Sequence, residues 1–246
     1  MDAAVVGGLG VVGTATRRML GITRYYDIKG GISKEELLDT EYIFLCLPTP
    51  TVNRVCDTSL IRQYVEMLGR GHTFIIRSTV PPGTARVLTE EFDVPILSCP
   101  EFLTEATAHI ECHLPDLLVL GGDDVSLRDE VWRHFFLGVR ADRVVLTDTV
   151  TAEFIKYAVN TFYATKVLFA NALYDVAEEL GIDYDTVRDA MYARKWIGRN
   201  HLTVPWKGKR GVNGKCLPKD LAAFATFSKH EFFEFMDIVS ETTHAD

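Results

Sequence analysis

Apolar residues in the first 148 positions fall into short runs separated by segments of helical periodicity. Several runs are continuous rather than alternating, which is typical of strands buried on both faces of a parallel sheet. Strand and helix therefore alternate along this part of the chain. The pattern predicts strands at Ala3–Val6, Arg24–Ile28, Tyr42–Leu47, Thr73–Arg77, Pro95–Ser98, Asp116–Leu120 and Arg143–Leu146, and helices at Val11–Leu20, Lys34–Leu38, Ser59–Leu68, Gly83–Glu91 and Ser126–Leu137.

The pattern changes near Asp148. A helical stretch runs from Thr151 to Leu180 and stops at Gly181, a residue type suited to a helix C-terminus. Its apolar positions cover more than one stripe, which indicates burial on several sides, one of them against a second subunit. We predict an α/β fold, with a Rossmann-like doubly wound parallel sheet in residues 1–148 and an all-α domain in residues 149–246. Further helices are predicted at Tyr184–Ala193, Pro218–Ser228 and Glu231–Glu241.

Composition and charge exclude several classes of protein. Hydrophobic residues make up 47% of the 246 residues and charged residues 24%, which is typical of a soluble globular chain and excludes disorder. No stretch approaches the about 18 apolar residues of a membrane-spanning helix. The net charge of −8 argues against nucleic-acid binding. The N-terminus lacks the features of a secretory signal and the five cysteines show no disulfide pattern, so we expect a cytoplasmic protein.

A glycine-rich turn follows the first predicted strand. The segment from Gly8 through Gly10 to Gly13 fits G-x-G-x-x-G and opens a helix, whose N-terminal N–H groups suit a pyrophosphate. Asp27 lies 19 residues beyond Gly8, close to the spacing expected for the carboxylate that binds the ribose hydroxyls. An acid at this position favours NAD over NADP. The alternative is a glycine-rich turn that binds no ligand.

A second group of functional residue types lies in the segment Gly211–Asp220. Cys216 stands just ahead of Pro218, at a predicted helix N-terminus and beside basic residues. This setting stabilises a thiolate and makes the sulfur a better nucleophile. Asp220 lies one turn further on the same face. Cys46 and Cys99 lie in or beside apolar strands and are expected in the core. A buried structural Cys216 is the alternative.

Polar residues elsewhere have both functional and ordinary interpretations. Lys156 and Asn160 share one face of the long helix. They are either catalytic groups or part of a solvated stripe. Glu101 and Glu105 follow a strand end, where they would act as bases or remain solvated. Arg199–Lys219 contains six basic residues and no acid, which predicts an anion site or a solvated loop. The segment from His109 to His113 matches no metal-ligand spacing, so no metal site is predicted.

Six blocks of the chain resemble, in order, the nucleotide-sugar 6-dehydrogenases, the family of UDP-glucose and GDP-mannose dehydrogenases. The blocks are GLGVVG (8–13), PTP (48–50), STVPPGT (78–84), CPEFLTEA (99–106), TAEFIKYAVNTFYATKVLFANAL (151–173) and GVNGKCLPKDL (211–221). The resemblance implies a homodimer formed through helix 151–180. It also implies an NAD site that comprises Gly8, Gly10, Val11, Val12, Gly13, Asp27, Pro48, Thr49, Thr79 and Lys219.

The resemblance also implies the chemistry, which is oxidation of the C6 alcohol of an anionic nucleotide sugar to the carboxylate in two NAD-dependent steps. Cys216 would form a thiohemiacetal and then a thioester. Lys156 and Asn160 would stabilise the oxyanion. The other implied roles are water activation by Asp220 with Thr79, thioester hydrolysis assisted by Glu105, a substrate or water contact at Glu101, and a place near cofactor or substrate for Lys219.

The chain also departs from the family pattern. Asn213 replaces the first of two adjacent glycines, the preceding loop is longer by about three residues, and the stretch from Asp27 to Pro48 is short, as if a helical segment were missing. Family members continue into a nucleotide-binding domain, which we expect this chain to lack. Two alternatives therefore stay open. One is a non-catalytic NAD-binding dimer or partial enzyme, and the other is a β-hydroxyacid-type dehydrogenase that makes a single hydride transfer.

Overall fold

The computed structural model describes residues 2–104 and 106–243. Internal contacts divide the chain into two compact units. The sheet unit comprises Met1–Pro50 and Asp57–Lys156, and the helical unit comprises Thr51–Cys56 and Tyr157–Asp246. Among the described residues, no helix is both long enough and apolar enough to cross a membrane.

The strands occupy the positions that the apolar runs predict, with additions. They are β1 (Ala3–Val6), β2 (Tyr25–Asp27), β3 (Gly30–Gly31), β4 (Tyr42–Leu45), β5 (Thr51–Val52), β6 (Val55–Cys56), β7 (Thr73–Ile76), β8 (Ile96–Ser98), β9 (Leu117–Gly121) and β10 (Arg143–Thr147). The helices are α1 (Val11–Leu20), α2 (Ser59–Leu68), α3 (Thr84–Phe92), α4 (Ala108–Glu111), α5 (Val125–Val131), α6 (Thr149–Glu179), α7 (Tyr184–Tyr192), α8 (Leu217–Ser228) and α9 (Glu231–Thr243).

Eight strands of the sheet unit form one sheet in the order β10-β9-β8-β7-β4-β1-β2-β3. Every residue of β1, β4 and β7 is buried, because apolar clusters cover both faces of the sheet. The register aligns Val6 with Leu45 and Leu45 with Ile76, so these three parallel strands end side by side. The Rossmann-like α/β prediction is confirmed. The chain leaves β1 for β2 and returns to β4 on the other side of β1, which creates a crevice at the carboxyl ends of β1 and β4.

The sheet is mixed at its edges rather than wholly parallel as predicted. The pairs β8–β9 and β2–β3 are antiparallel. In the described part of the connection from β8 to β9, α4 has only four residues, too few to carry the chain back across the sheet. Within residues 28–41, the connection from β2 to β4 holds β3 and a three-residue 3₁₀ turn, Glu35–Leu37. The helix predicted at Lys34–Leu38 is therefore only this turn.

The helical unit is built on α6, α8 and α9, with α7 packed against α6. Helix α6 stops where Gly181 takes a φ of 66°, and the Ile182 N–H donates to the Ala177 carbonyl over 2.8 Å. A hairpin of β5 and β6 also belongs to this unit, and its Cys56 is buried against Tyr157 and α8. This hairpin is not predicted from the sequence, because its two-residue turn, Asn53-Arg54, lacks the usual glycine.

Candidate active site

The glycine-rich turn is held by close backbone packing at two of its glycines. Gly7 has a φ of 81°, and a Cβ there would lie 2.2 Å from the Cys46 carbonyl oxygen. A Cβ on Gly13 would lie 2.1 Å from the Gly7 carbonyl oxygen. Both positions therefore require glycine for folding. Sequence reasoning assigned Gly13 to the motif but missed Gly7, for which the only signal is its place between the strand and the motif.

Gly10 is different, because the folded protein does not require glycine there. Its φ is −66°, and a Cβ would meet only the Gly7 carbonyl oxygen, at 3.4 Å. Gly10 caps the N-terminus of α1, where the helix N–H groups of Val11 and Val12 lack intrahelical partners. A side chain at Gly10 would fill the space beside these groups. This cradle fits the pyrophosphate of a dinucleotide.

Asp27 stands at the end of β2, next to the same turn. Its Oδ2 accepts a hydrogen bond from the Leu9 N–H over 3.0 Å, and its Oδ1 accepts one from the Lys29 N–H over 3.1 Å. The carboxylate therefore lies against the glycine-rich turn, as a ribose-binding acid must.

Hydrogen bonds join the loops that follow β4 and β7. The Leu47 N–H donates to the Ser78 hydroxyl over 2.9 Å, and the Thr49 hydroxyl donates to the Thr79 carbonyl over 2.7 Å. Three predicted cofactor residues, Pro48, Thr49 and Thr79, are thus gathered at the crevice edge. Because the Thr49 hydroxyl is used within the protein, its proton orients the loop.

Lys156 is buried, with 5% of its surface exposed. Its Nζ lies 3.5 Å from Glu101 Oε1 and 5.3 Å from the centre of the Phe102 ring. Glu101 Oε2 accepts the Leu103 N–H over 2.7 Å. The interpretation of Lys156 and Glu101 as solvated residues is therefore wrong. Both charges are held inside the sheet unit, whereas Glu105 lies outside the described residues.

The helical unit holds a second polar group at the start of α8. Asp220 is 1% exposed. Its Oδ2 accepts a hydrogen bond from Asn160 Nδ2 over 2.6 Å, and its Oδ1 lies 2.5 Å from Lys219 Nζ. Asn160 is likewise buried, which overturns the solvated-stripe alternative for it as well. The carboxylate is thus fixed by an amide and an ammonium group.

Cys216 directly precedes α8, and its side chain is exposed. The alternative of a buried structural Cys216 is therefore wrong. The Asp220 N–H donates to the Cys216 carbonyl over 3.0 Å, which closes the first helical turn below the thiol. Cys46 and Cys99 are buried as expected, and burial raises the pKa of the Cys46 thiol to about 12. Among these three cysteines, only Cys216 is placed to meet a ligand.

One buried acid was missed by sequence reasoning. Glu153 is 2% exposed and accepts hydrogen bonds from the Gly83 N–H, the Ala85 N–H and the Ser98 hydroxyl. Burial is the largest influence on this carboxyl group and raises its pKa to about 7. The available signal was its spacing, because Glu153, Lys156 and Asn160 recur at helical intervals within an apolar stretch.

The basic loop is partly anchored to α6. Arg210 pairs with Asp175 over 2.5 Å and lies over the Tyr174 ring, and the Gly211 N–H donates to Asn171 Oδ1 over 3.0 Å. Lys209 is exposed. Arg210 therefore has a structural partner, whereas Lys209 presents its charge to solvent. In residues 2–104 and 106–243, no group of three or more His, Cys, Asp or Glu side chains is arranged to hold a metal ion.

The fold and the glycine-rich cradle together define a dinucleotide-binding α/β protein. Residues 27–136 match the sequence profile of the UDP-glucose/GDP-mannose dehydrogenase family, NAD binding domain, and residues 150–245 match that of the central domain of the same family. The two matches follow in order and cover most of the chain. The chain belongs to the UDP-glucose/GDP-mannose dehydrogenase family, and NAD is its cofactor.

Curated relatives agree with this assignment. A UDP-glucose 6-dehydrogenase of Rickettsia bellii is 30% identical over 212 residues, which are 81% of this chain and 48% of the relative. A UDP-glucose 6-dehydrogenase of Pseudomonas aeruginosa is 30% identical over 217 residues, which are 81% of this chain and 47% of the relative. The chain thus spans about half the length of the curated relatives that it matches.

Solved structures share the whole fold. A UDP-glucose dehydrogenase from the archaeon Pyrobaculum islandicum has a TM-score of 0.80 and 26% identity, and the match covers 99% of this chain and 67% of that one. A 3-hydroxyisobutyrate dehydrogenase of Mycobacterium tuberculosis has a TM-score of 0.74 and 18% identity, with 100% and 96% covered. At that identity, the second likeness shows the fold alone.

Proposed function

We propose that this protein oxidises the C6 alcohol of a nucleotide sugar to the carboxylate through a covalent intermediate on Cys216. The observation that carries the proposal is the start of α8, where an exposed thiol stands one helical turn from a buried carboxylate. Asn160 and Lys219 hold that carboxylate, Asp220, in place. A single hydride transfer needs no such nucleophile, whereas a two-step oxidation does.

Bound NAD would supply the hydride acceptor for the sugar C6, with two NAD molecules reduced in turn for each acid formed. Between these oxidations, the Cys216 sulfur adds to the C6 aldehyde, and the new carbon–sulfur bond gives a thiohemiacetal. After oxidation, this carbon is a thioester. Water attacks it, the carbon–sulfur bond breaks, and the carboxylate leaves while the thiol is restored. The covalent bond keeps the aldehyde from escaping before its second oxidation.

The surrounding residues receive roles that suit their chemistry. The Lys156 ammonium and the Asn160 amide donate to the oxyanion that develops on the sugar oxygen. Asp220 positions the hydrolytic water and takes its proton. Glu105 assists thioester hydrolysis. Glu101, which accepts the charge of Lys156, contacts substrate or water.

The decisive experiment is an NADH-release screen with UDP-, GDP- and ADP-sugars. We expect two NADH per acid formed, and loss of turnover in Cys216→Ser. Cys112→Ser is the matched control, since this buried cysteine lies on the sheet unit and should leave turnover in place. Absence of NADH release with every nucleotide sugar would count against the proposal.

Two other functions give different outcomes. A β-hydroxyacid-type dehydrogenase yields one NADH per substrate and is insensitive to thiol alkylation. A non-catalytic NAD-binding dimer or partial enzyme binds NAD without binding nucleotide sugars, as calorimetry can measure.

We also propose that the basic loop contributes to binding the anionic substrate. Lys209 is exposed, which leaves its ammonium group available to a diphosphate, whereas the Lys207 Nζ lies 4.6 Å from the centre of the Trp206 ring. Lys209→Ala should raise KM for the nucleotide sugar and leave KM for NAD unchanged. Arg210→Ala is a poor substitute, because it also breaks the pair with Asp175. An unchanged KM for the nucleotide sugar in Lys209→Ala would show that the loop does not contribute to substrate binding.

Finally, we propose that the protein is a homodimer joined through α6. Phe162, Phe169 and Val176 recur at intervals of seven along this helix, and each residue is at least half exposed. Large apolar groups in such a stripe favour burial against a partner helix. A second copy of the chain presents the same stripe.

A further inference from the structure

We propose that Glu153 is a positioning residue, which sets the place of the Lys156 ammonium group by tying α6 to two loops of the sheet unit. This inference rests on the proposed function for the importance of Lys156, but the contacts that carry it do not depend on turnover. The hydrogen bonds that carry the inference join Glu153 to Gly83, Ala85 and Ser98, and none of these three residues has a chemical role above.

The Glu153 carboxylate on α6 binds two other segments. Its Oε2 accepts the Gly83 N–H over 2.6 Å, and its Oε1 accepts the Ala85 N–H over 2.9 Å. Oε1 also accepts the Ser98 hydroxyl over 2.8 Å. The first two donors begin α3, in the loop that carries Thr79, and Ser98 ends β8. One side chain of α6 thus fixes both loops.

The contacts of α6 with the end of β8 form two parallel links. Glu153 binds Ser98, and three residues further along each segment Lys156 meets Glu101. The first link is fully buried, and the second holds the charged pair. Since residues three apart lie on neighbouring positions of one helix face, movement at the first link displaces the second.

A carboxylate suits this position better than other side chains do. The residue before α3 is Gly83, which has no side chain with which to cap the helix, so Glu153 supplies the cap from another element. The positive end of the helix dipole stabilises its charge. A glutamine offers one acceptor oxygen, and its amide hydrogens would face N–H donors. Burying a carboxyl group is costly, so packing alone would favour an apolar residue.

The first test reads the position of Lys156 directly, with ¹⁵N NMR of its ammonium nitrogen. In the wild type, Glu101→Gln should shift this signal, because the two groups are in contact. In the Glu153→Ala background, the same Glu101→Gln change should no longer shift it, and amide exchange at Gly83 and Ala85 should accelerate at least about tenfold. If Glu153→Ala does not fold, Glu153→Gln serves in its place. A signal that still responds fully to Glu101→Gln overturns the proposal.

The second test uses kinetics. Misplacement of a catalytic group by about 1 Å costs on the order of 100-fold. Glu153→Ala should therefore lower kcat for the nucleotide sugar by about 10- to 100-fold and change KM for NAD less than twofold, with Glu153→Gln in between. Glu130→Ala is the control, since it removes the carboxylate that accepts the Tyr42 hydroxyl elsewhere in the sheet unit. Equal losses in the control and Glu153→Ala would overturn the proposal. If the wild type shows no turnover, the proposed function fails, and the NMR test still decides the role of Glu153.

Discussion

Glycines 10 and 13 lie in the same turn but are required for different reasons. Gly13→Ala places a Cβ 2.1 Å from a backbone oxygen and should destabilise the fold by more than 1 kcal/mol. Gly10→Ala meets no such obstacle, so its stability should change by less than about 1 kcal/mol. Its NAD affinity should nevertheless fall at least about tenfold, because the Cβ occupies the cradle. Thermal unfolding and NAD titration of both variants check this, and wild-type NAD affinity in Gly10→Ala would show that the cradle is not used.

Glu153 also predicts a pH dependence of stability. Burial raises the pKa of its carboxyl group from 4.5 to about 7. Within this window the folded state binds more protons than the unfolded state, so the contribution of Glu153 to stability falls as pH rises. Glu153→Gln removes this dependence. Between pH 4.5 and 7, the free energy of unfolding of the variant should therefore rise relative to that of the wild type by ~3 kcal/mol, at 1.36 kcal/mol per pKa unit. Denaturant unfolding at several pH values measures the difference, and parallel curves for the two proteins would contradict the assignment.

At the scale of elements, the β5–β6 hairpin is fixed to α9 by charge. Arg54 takes a φ of 64° in the turn and pairs with the buried Asp237 and with Glu241. Arg54→Ala leaves the Asp237 carboxylate without this partner and should cost about 1–3 kcal/mol of unfolding free energy. Asp237→Asn in the same background should recover part of that loss. Denaturant unfolding of the double-mutant cycle checks the coupling, and additive effects would show that the pair contributes nothing.

Helix α6 contributes residues to both units. Its residues up to Lys156 belong to the sheet unit, and those from Tyr157 belong to the helical unit. Periodicity predicted the helix and its end at Gly181. The partners of Glu153, Lys156 and Asn160 come from two different loops and from α8, at distances along the chain that no local pattern encodes.

At the scale of the whole molecule, the exposed stripe of α6 predicts the oligomeric state. Replacing both Phe162 and Phe169 with Asp puts charge into a contact that must be apolar, so the dimer should dissociate to monomers. Light scattering after gel filtration measures the mass. Phe232→Asp is the matched control, because Phe232 is similarly exposed on α9 but lies outside the stripe. A dimeric double variant would place the interface elsewhere.

The sequence by itself determined the fold class, the positions of nearly all strands and long helices, the glycine-rich turn and the residue types of the site. Apolar periodicity and glycine placement act locally, so the sequence predicts these features without knowledge of distant contacts. The blocks of the family pattern also named the candidate catalytic residues, although their roles stay predictions, as does the division at residues 148 and 149.

Only the tertiary structure decided which polar residues are buried and which partners they have. In the folded protein, packing requires glycine at position 13, whereas Gly10 is open to a ligand. Cys216 is exposed, Lys156 is buried against Glu101, and Arg210 has a structural partner. In the structure, β9 also runs antiparallel to β8, and the β5–β6 hairpin belongs to the helical unit. The physical reason is that burial and hydrogen bonding join residues far apart in the chain, and the free energy of such contacts depends on surroundings that the local sequence does not contain.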